Sequence, residues 1–358
     1  MDRYELRRLD YGLTRDQRDL QAAYRDFFTT HCPIDTVRAS ESTGFDKSLW
    51  ERLCATGATT MAAPIDVGGD GATMVDLVLV AEELGRALAP VPWIDHVCAT
   101  RLLARLGVLE VDDPGTAEFI NGIRIAALDP QLEDLGARRL IPSGTIADHI
   151  IVRRGAEIVH VTYDNRPPLV ENIGCLPMAW IDVSAASTSN VVGSGAQAIA
   201  EYSRALDEWR LLTAAALAGL VEQSMMLAAE FAKSRFTFGV PIASLQGISH
   251  PLARAAVMVQ GGRNLTRRAA WFHEYEPDER PELAPAAFHF MAEGATTAAS
   301  SAAHVQGGLG ITVEAPSAAY YLRARGWALA AGDPAATATQ VIDRISARQL
   351  RARTPNGP

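Results

Sequence analysis

An α+β chain, helical at both ends with a small β domain between, is what the sequence predicts, on three observations. Apolar residues recur at helical spacing up to about residue 120. Short β-prone runs separated by turn signals then fill about residues 122–192. From Ala196 onward the chain is alanine-rich and helical over long stretches. The expected domains are 1–121, 122–194 and 195–358. A length of 358 residues suits such a division, since single cores stop growing near about 250–300 residues.

Each element has a local cause. Thr14-x-x-Gln17 has the form of a capping box and opens a helix expected through about Thr29. A second helix is expected over Lys47–Ala55. The loop Pro64-Ile65-Asp66-Val67-Gly68-Gly69-Asp70-Gly71 follows, its glycines free to take positive φ. Leu77, Val80, Ala81 and Leu84 lie on one face of a helix over Met74–Leu88. Pro90-Val91-Pro92 ends it, and another helix is expected over Ile94–Leu106. The β domain is built from runs such as 123–127, 149–153 and 157–162, with turns at Pro142-Ser143 and Asp164–Pro168. Long helices over 199–233, 244–275 and 282–305 suggest antiparallel bundle packing. A glycine turn and two shorter helices reach about residue 352, and the tail from Arg353 is expected to fray.

Composition excludes several classes. With 48% hydrophobic and 21% charged residues the bulk of the chain is neither disordered nor coiled coil. A net charge of −9 and no long basic run disfavour a nucleic-acid or anionic-membrane surface. No stretch approaches the roughly 18 consecutive apolar residues of a membrane span, and Met1-Asp2-Arg3-Tyr4-Glu5-Leu6-Arg7 lacks the apolar core of a secretory signal. Cys32, Cys54, Cys98 and Cys175 are far apart and encode neither a zinc ribbon nor a disulfide framework. The expected location is the cytoplasm.

Three segments carry chemical signals. The first is Arg235-Phe236-Thr237-Phe238-Gly239-Val240-Pro241-Ile242, followed by Gln246 and His250. A guanidinium beside a hydroxyl and exposed backbone N–H groups suits a phosphate or pyrophosphate; an arginine capping helix carbonyls is the plainer alternative. The second is His304-Val305-Gln306-Gly307-Gly308-Leu309-Gly310, with Glu314 and Pro316 after it. Its glycines allow either close backbone approach to a ligand or a tight turn between helices. The third joins the Pro64–Gly71 loop to Glu82-Glu83-Leu84-Gly85-Arg86.

Taken together, R-x-x-F-G-x-x-I-x-x-x-Q-x-x-x-H, then GG-x-G-x-T-x-E-x-P, with P-x-x-x-GG-x-G and E-E-x-G-R near the start, resemble the acyl-CoA dehydrogenase family over about residues 10–350. The resemblance implies that family's fold, with FAD as cofactor and an acyl-CoA thioester as substrate. In such enzymes a carboxylate takes the α-proton while the β-hydrogen leaves as hydride to the flavin. It further implies FAD contacts across a subunit interface by Arg235, Thr237, Phe238 and Gln246, and by Gly307 and Gly308.

The chain departs from the family pattern in three places. Ala331-Gly332 stands where a catalytic Glu-Gly is expected, and alanine accepts no proton. The alternative base position, just before an arginine on the first bundle helix, is Trp209, followed by Arg210. Arg210 keeps a substrate-binding role in this reading; Trp209 is a plug in a vacated pocket or simple packing. The carboxylates left as candidate bases are Glu208 and Asp333. Glu208 is one residue off register, a rotation of about 100° on a helix. The glutamine of Q-x-x-GG is replaced by His304, with Gln306 two residues on; His304 is a cofactor contact or a satisfied helix-end histidine. The flavin-holding residues expected in the β domain are missing. These losses resemble the non-catalytic subunit of actinobacterial heterotetrameric acyl-CoA dehydrogenases that act on sterol side chains. The implied partner is a paralogous catalytic subunit in an α2β2 assembly. A self-sufficient homomeric dehydrogenase and a non-enzymatic acyl-CoA-binding scaffold are the alternatives.

Overall fold

The computed structural model describes residues 12–131, 136 and 138–353. Met1–Arg7 and the tail beyond Arg353, both read above, lie outside the described residues.

Among the described residues, six α-helices come first. The Thr14 capping box forms as expected, with Thr14 and Gln17 exchanging hydrogen bonds, and starts α1 (Arg15–His31). Then come α2 (Ile34–Ala39), α3 (Lys47–Ala55), α4 (Met74–Arg86), α5 (Trp93–Arg105) and α6 (Pro114–Ile120). The β region contains β1 (Ala126–Leu128), β2 (Arg138–Ile141), β3 (His149–Arg154), β4 (Glu157–Thr162), β5 (Ala179–Asp182) and β6 (Thr188–Ser194). Its main sheet has the order β1-β3-β4-β6, parallel at β1/β3 with Ala126 opposite His149, and antiparallel elsewhere. β2 and β5 form a separate antiparallel pair. The buried His96 of α5 joins this sheet to the helices by accepting the Ala126 N–H at Nδ1 (3.1 Å). Burial pushes its pKa down to about 4, so the ring stays neutral.

The bundle comprises α7 (Gly195–Ser234), α8 (Gln246–Tyr275), α9 (Leu283–Val305), α10 (Ser317–Ala328) and α11 (Pro334–Arg353), with a hairpin of β7 (Phe236–Thr237) and β8 (Val240–Pro241) after α7. The 40-residue α7 is its axis. An 18-residue window of α7 is apolar enough to cross a membrane, but 72% of that window is buried inside the fold, as in a core helix.

The Glu82–Arg86 segment explains how α4 meets α7. A Cβ at Gly219 would overlap the Glu82 carbonyl oxygen, and one at Gly85 the Ala216 carbonyl oxygen. The two backbones thus touch where only glycine fits. Around that crossing, Glu83 pairs with Arg25 (2.8 Å) and Arg86 (2.8 Å), and Glu82 pairs with Arg263 (2.6 Å). This part of the sequence signature works as packing. Gly219→Ala is expected to cost about 1–3 kcal/mol, because backbone cannot yield as a side chain can; urea denaturation of the variant measures it.

Candidate functional site

Four consecutive residues of α7 face three environments, because successive side chains turn by about 100°. Asp207 and Arg210 pair with each other (2.8 Å), and Asp207 also takes Arg344 of α11 (2.6 Å). Arg210 is buried, which lowers its pKa despite the Asp207 charge. Glu208 turns to α5, where Arg105 Nη1 lies at 2.9 Å and Arg101 Nε at 3.2 Å, with His273 Nε2 at 3.6 Å. Burial alone would raise its pKa; the two guanidiniums and His273 outweigh this and hold it well below the usual carboxylate range. Trp209 turns a third way. Its indole packs on Phe288 (centroids 5.6 Å apart) and donates to Asp95 Oδ1 at 2.8 Å.

Trp209 forms one wall of a cavity of about 70 Å³, lined also by the α4–α5 corner, the Pro142–Ser143 turn, Leu176–Pro177, Arg323 and Trp327 of α10, and Ala330 just beyond it. Of the two positions where the sequence lacks a base, Trp209 lines this cavity, and Ala330, the residue before Ala331, lines it too. Neither Glu208 nor Asp333 lines this cavity. Asp333 is exposed and caps α11, accepting the Ala335 N–H at 2.9 Å. The carboxylate that does line it is Asp95, whose second oxygen accepts the Ser143 hydroxyl. Asp95 escaped the sequence reading because an acidic residue in a helix's first turn looks like a simple complement to the helix dipole.

Backbone strain marks the same place. Among the described residues, four non-glycines have left-handed φ: Leu88 (53°), Ser143 (58°), Cys175 (46°) and Phe238 (51°). The first three line the cavity. Such outliers cost about 1–3 kcal/mol and gather at functional sites.

The fourth outlier belongs to the hairpin. Phe238 and Gly239 both have positive φ, the geometry of a type I′ turn. Phe238 is 93% exposed. Arg235 ends α7 through its backbone, its N–H bonding Phe231 O at 2.9 Å. Arg235 is exposed and its guanidinium caps no carbonyl among the described residues, while Thr237 is half-buried and Gln246 exposed at the start of α8. A small core of Ala228, Ala232, Ala302 and Val305, with Ile242 and Leu252 packed on it, ties this hairpin to the end of α9. The predicted cofactor residues thus share one end of the bundle. There His304 is exposed, Gln306 is buried with Oε1 at 3.3 Å from the Ser317 hydroxyl, and Gly307 turns the chain at φ 61°. Gly308 is exposed with open space where a Cβ would lie, whereas a Cβ at Gly310 would strike Ala303. Phe236, Ile311 and Val313 are exposed beside them.

Asp129, just after β1, is buried against Arg139 (2.9 Å), and the Tyr202 hydroxyl donates to its carbonyl at 2.6 Å.

Comparison with known proteins places this architecture. The sequence profile of the acyl-CoA dehydrogenase N-terminal domain matches residues 14–112, and that of the C-terminal domain matches residues 197–346. The chain belongs to the acyl-CoA dehydrogenase family. Among curated relatives, acyl-CoA dehydrogenase IpdE2 of Mycobacterium tuberculosis is 29% identical, covering 83% of this chain and 86% of that protein. Acyl-CoA dehydrogenase FadE27 of the same organism is 28% identical over 97% of this chain and 100% of its own length. Among solved structures, the Mycobacterium tuberculosis ChsE4-ChsE5 complex superposes with a TM-score of 0.81 at 24% identity, covering 97% of this chain and 100% of that one. The Tcur3481-Tcur3483 steroid ACAD variant gives 0.82 at 22% identity, covering 94% and 99%.

Proposed function

We propose that this chain is the non-catalytic subunit of a FAD-dependent acyl-CoA dehydrogenase, joined with a paralogous catalytic subunit in an α2β2 heterotetramer. The observation that carries this reading is the cavity behind Trp209. A cavity of about 150 Å³ holds one benzene ring; at about 70 Å³ this one has room for neither an acyl chain nor a steroid. Both expected base positions, Trp209 and Ala331, lack a carboxylate, and Asp95 has both oxygens engaged.

The second support is the hairpin. Phe238 accepts backbone strain while 93% exposed, which suits a surface completed by another subunit. The residues there fit a partner's FAD. Arg235 offers a guanidinium fork to the pyrophosphate, Thr237, Gln246 and His304 offer polar groups, and Gly307-Gly308 offers open backbone. When bound, FAD accepts the hydride that leaves the β-carbon of the thioester. In this assignment Gln306 supports the glycine turn, and Arg210 orders the helix below the pocket through Asp207.

The substrate class is a steroid side-chain CoA thioester, the reading favoured by likeness to the Tcur3481-Tcur3483 steroid ACAD. The four cysteines are free thiols, in keeping with a cytoplasmic subunit. Mixing the purified chain and FAD with octanoyl-CoA tests the catalytic part of the claim. No bleaching of the visible flavin absorbance is expected; bleaching by the chain alone overturns it.

A further inference from the structure

Asp95 takes no part in the function proposed above. It lies in the first turn of α5, is 9% exposed, and forms no ion pair among the described residues. A carboxylate buried without a cation is costly, and burial pushes its pKa up against the opposing hydrogen bonds from Ser143 and Trp209. Ser143, which donates to it, holds a left-handed backbone that a non-glycine residue resists. A leucine at 95 would pack an apolar wall without these costs. Two unfavourable features therefore converge on one object, the indole N–H of Trp209, 2.8 Å from Asp95 Oδ1.

We infer that Asp95 is a positioning residue that tethers the Trp209 indole across the cavity, and that removing the indole leaves a site selective for a planar aromatic ligand with an N–H donor. The closed pocket is then set by a polar tether as well as by bulk. This concerns the pocket of the proposed non-catalytic subunit and rests on that reading for its meaning. Its test involves neither flavin nor turnover, so either can fail without the other.

The full-length Trp209→Gly chain, alone or in its co-purified complex, is titrated with indole and with indene, the same shape without the N–H, and thermal unfolding is followed. Indole is expected to raise the melting temperature and to bind about 10-fold or more tightly than indene, since the hydrogen bond to the buried Asp95 carboxyl is lost with the second ligand. Adding Asp95→Leu removes the preference, and neither ligand shifts the unmutated chain. Equal binding of indole and indene with Asp95 present, or stabilisation by neither, overturns the inference. If Trp209→Gly does not fold, the indole N–H resonance of Trp209 is assigned by its loss in Trp209→Phe. Its solvent exchange must then quicken about 10-fold or more in Asp95→Leu, and an unchanged rate overturns the tether.

Discussion

Arg235→Ala, introduced into the complex with the catalytic subunit, is expected to weaken FAD retention by about 10–100-fold, as the loss of one charge-assisted hydrogen bond to a phosphate predicts. The melting temperature of the isolated chain should not move, because Arg235 is exposed and its guanidinium bonds to nothing among the described residues. That pairing of effects is diagnostic. A helix-capping arginine would show the reverse, with stability lost and flavin retained. Equilibrium dialysis of FAD against both complexes, alongside thermal unfolding of the chain, separates the two. A scaffold that has abandoned flavin predicts no change in either.

Glu208→Gln is the second large effect, and it falls on stability. The side chain is fully buried between Arg101 and Arg105, and removing one partner of a buried ion pair costs about 3–5 kcal/mol. Its folded pKa lies below its unfolded value, so its stabilisation is complete above the unfolded pKa of about 4.3. That stabilisation disappears as pH falls through the folded pKa. The gap between parent and variant should therefore be full at pH 7 and close toward acid, by urea denaturation at a series of pH values. A glutamate serving as the proton acceptor would instead lose turnover with little loss of stability.

Much of this organisation is legible in the residues, and the exceptions have physical reasons. The capping box at Thr14 and the start of α3, capped by Asp46, are set by local capping, and the three long bundle helices follow their 3.6-residue periodicity. α2 and α6, with 6 and 7 residues, are too short to display a period, and the expected reading passed over both. β2 and β5 pair across 37 residues of intervening chain, and no local pattern records that. At the site, the missing carboxylate at Ala331 and the bulk of Trp209 can be read directly. Asp95 cannot, because its meaning depends on Ser143 and Trp209, which are distant in sequence. The Glu82–Arg86 segment shows the opposite case. It reads as a family signature, and the structure gives it a steric cause in the α4–α7 crossing and its arginine network.

The central claim is that this chain completes a flavin site it does not itself contain. Measuring FAD per chain from the visible flavin spectrum, on the chain alone and on the complex co-purified with a catalytic paralogue, tests it most directly. The account predicts a colourless single chain and about one FAD for every two chains in the complex, two sites in a heterotetramer of four subunits. A yellow single chain carrying one FAD per protomer would contradict it.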